Sequence, residues 1–151
     1  VFGLGGEGFK RELANYPGAT KHVSHSGVLP HTDALARMKN FDLLVISDAP
    51  MASRSIFLTS KIVDYLGTQR PIFAITPEGP TKDLIDRIGG WSVSPDDPSE
   101  VAAAMVDAIQ GVNATKAEES DAARDAYAID RIGRRFRDIL DQVIASNAGP
   151  A

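Results

Sequence analysis

The chain has 151 residues, a formal net charge of −4 and no cysteine. That length suits one domain with a real core. An acidic balance, with a pI of about 5.3, argues against a general nucleic-acid binder, and the lack of cysteine rules out disulfides and thiolate metal sites.

The elements alternate along the chain. Val1–Leu4 reads as the end of a strand, and Glu7–Asn15 as a helix stopped by Pro17-Gly18. His22–Ser26 reads as a short strand. Thr32–Lys39 is an expected helix, with Thr32 as its cap. Phe41–Ser47 is nearly all apolar, as expected of a strand buried on both faces. A loop rich in Ser, Pro and Ala follows, then a helix over Thr59–Gly67 and a strand over Pro71–Thr76. Thr81–Ile88 is a helix closed by Gly89, and Trp91–Ser94 a strand. Asp97-Pro98-Ser99-Glu100 is a strong helix start: a capping Asp, Pro at the first helical position and a capping-box Glu. Asn113–Asp121 is a polar link. Beyond it Ile129, Ile132, Phe136, Ile139, Leu140 and Val143 recur at helical steps among four arginines.

Strands separated by helices of this length imply a parallel sheet, whose ligands bind at the carboxyl ends of the strands. The loops at that edge are Gly27–His31, Ser47–Ser60 and Pro77–Pro80. Ser60-Lys61-Ile62-Val63-Asp64 starts a helix there. Residues three apart share a helix face. A helix start offers unpaired N–H groups and partial positive charge. Lys61 adds a cation for a diphosphate, and Asp64 an acceptor for sugar hydroxyls. The same pair is also what an ordinary surface ion pair looks like.

The flanking residues carry a resemblance. Ser60-Lys61-Ile62-Val63-Asp64-Tyr65-Leu66, then Arg70-Pro71-Ile72, resembles the "S-K-x-x-D/E-Y-L-x-x-x-R-P-I" of the donor-binding region in GT-B glycosyltransferases of the family-4 type (glycosyltransferases group 1). The stretch "V-S-H-S-G-V-L-P-H-T-D-A-L-A-R-M-K-N-F-D-L-L-V-I" upstream and "G-P-T-K-D-L-I-D-R-I-G-G-W-S-V-S-P-D-D-P-S-E-V-A-A-A-M" downstream extend it over about residues 1–112. The resemblance implies an α/β fold: a Rossmann-like parallel sheet with helices on both faces, the carboxy-terminal half of a GT-B fold. Residues 1–112 would be the nucleotide-sugar-binding domain, lacking its first strand. Residues 113–151 would be a linker and a long amphipathic helix packing on that domain or on another copy of the chain.

The resemblance also assigns roles. Lys61 would neutralise the diphosphate as the leaving group forms, and Thr59 and Ser60 would offer hydroxyl and N–H groups to phosphate. Asp64 would hold the ribose, and backbone at Gly27, Val28 and Leu29 the base. Glu78 and Gly79 would border the sugar. Many members of the family carry two glutamates flanking seven residues. Asp64 stands at the second, but Ile56 stands at the first and accepts no hydrogen bond. Sugar recognition would then fall to the Met51–Ile56 loop, through Arg54 or Ser55. No cofactor and no metal is expected. The implied partners are a nucleotide-diphosphate sugar and a sugar or lipid-linked acceptor held by a missing amino-terminal domain, with no nucleic acid. The chain begins at Val1, inside an expected strand, and reads as a trimmed fragment without transfer activity of its own. The implied place of work is the cytoplasm of a bacterial-like cell, in polysaccharide or glycoconjugate synthesis, with the inner membrane face as an alternative. A nucleotide-sugar epimerase of the same fold and a non-catalytic nucleotide-binding or interaction module stay open.

Other signals weigh less. Gly3-Leu4-Gly5-Gly6-Glu7-Gly8 fits G-x-G-x-x-G formally, but no acid stands at His22–Gly27, where a dinucleotide site wants one. His22 and His25, three apart on an expected strand, point to opposite faces and suit no shared metal. Asp96-Asp97 reads as turn and cap, and Ser53, Ser55 and Ser60 lack a nucleophile elbow.

Overall fold

The computed structural model describes residues 6–49, 53–112 and 124–147. The expected strand end Val1–Leu4, Met51 and the link Asn113–Asp121 lie outside them. The chain divides into two compact units, Val1–Asn40 and Phe41–Ala151.

The first unit holds α1 (Gly6–Ala14), a 3-10 turn (Ala19–Lys21) and α2 (His31–Met38). Glu7 and Lys10, one turn apart on α1, pair at 2.9 Å. The strand expected over His22–Ser26 does not form. A strand needs a neighbour for its ladder, and none among the described residues pairs with it. Local bonds satisfy its backbone instead. The His22 and Val23 N–H groups both donate to the Ala19 carbonyl at 2.9 Å, and the Gly27 N–H donates to His25 Nδ1 at 3.0 Å. The His25 ring lies 5.7 Å from that of Phe9. Thr32 is not the cap of α2: Pro30 holds that place, and its carbonyl accepts from the Ala34 N–H at 3.0 Å.

The second unit is the α/β body. It runs β1 (Leu44–Ser47), α3 (Lys61–Thr68), β2 (Ile72–Ile75), α4 (Pro80–Arg87), β3 (Trp91–Val93), α5 (Pro98–Gly111) and α6 (Ile129–Asn147). The strands lie in the order β1-β2-β3, all parallel. Leu44 stands beside Ile72 and Ile46 beside Ala74, while Val45, Phe73 and Trp91 form the alternate row. Side chains alternate across a sheet, so these rows face opposite ways. Ile46, Ile72 and Ala74 pack with Ile62 and Leu66 of α3 and with Leu84, Ile85 and Ile88 around α4. The other row faces α5, which packs on β2 and β3. Each fully buried aliphatic or aromatic side chain stabilises by about 1.5–3 kcal/mol. Leu44, Ile46 and Phe73 are buried as expected, and Ile75 is half-buried.

The helix ends follow local chemistry with one change. Asp97 caps α5, accepting from the Ser99 N–H at 2.7 Å. Gly67 does not end α3; it lies in the last turn, and Gln69 takes the left-handed conformation (φ 59°) at the cap.

Asp86 on α4 ties the helix to β3. It accepts from Ser92 Oγ at 2.6 Å and from Lys82 Nζ at 2.8 Å. Burial pushes its carboxyl up, but the hydrogen bonds from Lys82 and Ser92, with the Lys82 charge, outweigh this and hold it below the usual range. Asp86→Asn should cost under about 1 kcal/mol at neutral pH, because both side chains of the pair are partly exposed to solvent. The difference should persist above the ordinary carboxylate pKa and vanish as pH falls through the lowered one. Thermal unfolding of both chains at about pH 7 and about pH 2 checks it.

The apolar stripe of α6 is not covered by the body. Ile132, Phe136, Ile139 and Val143 are all exposed. Just ahead of the helix Tyr127 packs against the core, and Arg124 donates to the Leu66 and Arg70 carbonyls, each at 3.2 Å. No helix among the described residues is long and apolar enough to cross a membrane.

Candidate functional site

The carboxyl ends of β1 and β2 are tied together. Thr76, 1% exposed, donates through Oγ1 to Asp48 Oδ2 at 2.9 Å. The Asp48 N–H donates to the Ile75 carbonyl, and the Thr76 N–H to that of Val93, each at 2.9 Å. The edge where ligands of parallel sheets bind is therefore fixed by paired backbone.

The segment from Ser53 to Ser60 is held along this edge by α4. The Ser55 N–H donates to the Glu78 carbonyl at 2.7 Å. Gly79 sits against Ser55 with φ 152°; a Cβ there would lie 2.7 Å from the Ser55 carbonyl oxygen and 2.9 Å from its Cβ. Only glycine allows both that conformation and that approach. The buried Thr81 hydroxyl accepts from the Thr59 N–H and donates to the Phe57 carbonyl, both at 3.4 Å. Ser55 Oγ accepts from the Phe57 N–H at 3.1 Å. The backbone leading into α3 is thus set on both sides.

Ser60 occupies the cap position of α3 without making a side-chain cap bond. Lys61 is the first helical residue and is exposed; Asp64, one turn on, is half-buried. The Ile62 and Val63 N–H groups donate to the Thr59 and Ser60 carbonyls at 3.2 and 3.3 Å. Behind Asp64, the Tyr65 hydroxyl donates to the Val45 carbonyl at 3.2 Å. Burial, then the Asp64 charge, pushes the Tyr65 hydroxyl up from its usual value.

The expected residues fall into three groups. Thr59, Ser60, Lys61 and Asp64 share the start of α3. Arg54, Glu78 and Gly79 come together at the start of α4, where the Arg54 guanidinium pairs with Asp83 and lies 3.9 Å from Glu78. Gly27, Val28 and Leu29 belong to the first unit, where Gly27 has φ 77° and Val28 is exposed. Ile56 is among the most exposed apolar residues, beside Phe57 and Leu58. Among the described residues no group of three His, Asp or Glu side chains is placed to hold a metal.

Sequence reasoning missed Thr81, Thr76 and Asp48. Thr81 follows Gly79-Pro80 and looks like helix-start chemistry. Its partners lie 22 and 24 residues away, and the Thr76–Asp48 bond spans 28. The one available signal was Asp48 directly after a buried strand.

No family model matches the chain, and no curated protein does. Among solved structures it is similar to the crystal structure of HepE from Anabaena in complex with UDP, with a TM-score of 0.69 and 18% identity. The likeness covers 92% of this chain and 38% of that one, so this chain spans well under half of its neighbour's length. At that identity the likeness establishes the shared α/β fold.

Proposed function

We propose that this chain is the donor-binding part of a glycosyltransferase and holds a nucleotide-diphosphate sugar at the start of α3. The observation that carries the reading is the placement of Ser60, exposed Lys61 and Asp64 on one helix start at the carboxyl edge of a parallel sheet. The motif resemblance over about residues 1–112 supports it, as does the UDP held by the protein whose fold it shares.

On this reading the diphosphate sits against the first turn of α3, where the helix dipole and Lys61 favour negative charge. Lys61 stabilises the charge that grows on the leaving diphosphate as the glycosyl bond breaks, which is where such stabilisation accelerates the step. Thr59 and Ser60 serve phosphate oxygens. Asp64 accepts from ribose hydroxyls. Arg54, Glu78 and Gly79 border the sugar. The acceptor is held by a domain outside this chain, so the chain alone binds donor and transfers nothing. The work is cytoplasmic.

Nucleoside diphosphates should raise the melting point of the purified chain, because a ligand bound only by the folded state stabilises it. The rise should be larger for UDP or another diphosphate than for the matching nucleoside. No rise with any nucleoside diphosphate or nucleotide sugar would defeat the reading. Sugar transfer by the isolated chain would show that the acceptor site lies within it.

A further inference from the structure

Asp48 is half-buried, directly after β1 at the carboxyl edge of the sheet. The Thr76 hydroxyl donates to its Oδ2 at 2.9 Å, although the Pro77 carbonyl is a second acceptor at 3.4 Å. Among the described residues no cation pairs with Asp48, and its Oδ1 has no partner. A carboxylate drawn partly out of water without a cation costs free energy. The strand ends do not need it, because backbone bonds of 2.9 Å already join them. Replacing both partners of such a pair by apolar groups of the same shape can be nearly neutral. The carboxylate and the buried hydroxyl that orients it therefore call for a reason other than stability.

Its place is beside the proposed sugar border. Thr76 precedes Glu78 by two residues, a reach of at most about 7 Å. The Glu78 carbonyl in turn holds the Ser55 N–H at 2.7 Å. The other charges on that border are engaged. Arg54 pairs with Asp83 and approaches Glu78, and Lys82 lies 3.7 Å from Glu78 and 2.8 Å from Asp86. Ile56 accepts no hydrogen bond. Asp48 Oδ1 is thus an open, oriented acceptor at the ends of β1 and β2. Its charge repels a diphosphate, so the group that suits it is a neutral hydroxyl.

We propose that Asp48 Oδ1 accepts a hydrogen bond from a hydroxyl of the donor's glycosyl group, with Thr76 fixing the carboxylate; this rests on the donor-site reading above. Asp48 is then a specificity residue. A glycosyl group with that hydroxyl satisfies the carboxylate, and one deoxygenated there leaves a half-buried charge unpaired.

Calorimetry on the full chain tests it with UDP, UDP-glucose and UDP-galactose, and with GDP and GDP-mannose. Asp48→Ala should weaken at least one of these sugar nucleotides about tenfold to a hundredfold. Its parent diphosphate should bind as before or tighter, because a negative charge has gone. Asp48→Asn keeps an acceptor for Thr76 and should give a smaller loss of the same kind; it carries the test if Asp48→Ala does not fold. Thr76→Val leaves the carboxylate but frees it, and should weaken the same sugar nucleotide about threefold to tenfold. A monodeoxy analogue lacking the contacted hydroxyl should bind wild type and Asp48→Ala equally, which closes a double-mutant cycle. If wild type binds a diphosphate and Asp48→Ala shifts it and its sugar nucleotides alike, or shifts none, the carboxylate is structural and the proposal falls. It falls too if wild type binds a diphosphate but none of the sugar nucleotides. A wild-type chain that binds neither diphosphate is a different result, which removes the donor site and this contact with it.

Discussion

Lys61→Ala should lower nucleoside diphosphate affinity about tenfold to a hundredfold. The substitution removes a charge-assisted contact of about 1.5–3 kcal/mol, and each 1.4 kcal/mol is about a decade in Kd. The matching nucleoside should bind as before, because it presents no phosphate to Lys61. Asp64→Asn should act differently. The ribose is common to both ligands, so both should weaken. Neither change should unfold the chain: Lys61 is exposed, and Asp64 is only half-buried. Calorimetry with two ligands and three chains separates the cases. A surface ion pair predicts equal binding by wild type and Lys61→Ala, and that result would remove the donor site from α3. An epimerase of the same fold would bind the same donor, so these titrations test the site and leave the reaction to the whole protein.

Phe73→Ala should cost about 3–5 kcal/mol of folding stability. Phe73 is the middle residue of its row, between Val45 and Trp91, on the central strand, and it is fully buried. Its loss opens a cavity under α5 that the sheet backbone prevents from closing. The loss should appear in urea unfolding as a lower midpoint with an unchanged slope. Nucleotide affinity per folded molecule should hardly move, since Phe73 faces α5 and the proposed site lies at the strand ends. This is the opposite pattern to Lys61→Ala. If Phe73→Ala lowered stability by less than about 1 kcal/mol, the sheet face would be far looser than its burial implies.

Much of the second unit was readable along the chain because its determinants are local. Apolar runs at Phe41–Ser47 and Pro71–Thr76 marked strands, and helix-length segments between them required parallel pairing. The Asp97-Pro98 start of α5 depends on bonds that span two residues. The motif residues from Thr59 to Asp64 shared one helix start for the same reason: helical spacing alone brings them together.

The remaining features depend on what lies opposite, which no local pattern states. His22–Ser26 has the residues of a strand but no neighbour to pair with, so local hydrogen bonds prevailed. The helix expected over Thr59–Gly67 runs from Lys61 to Thr68, and the turn into β2 places the left-handed residue at Gln69. Gly79, Thr81 and the Asp48–Thr76 bond lock the site through contacts between residues 22 to 28 apart. The repeat of α6 was plain in the sequence, but only the fold decided that the body leaves its stripe open. Periodicity says that a helix has an apolar face, and the surfaces within reach decide whether that face is covered.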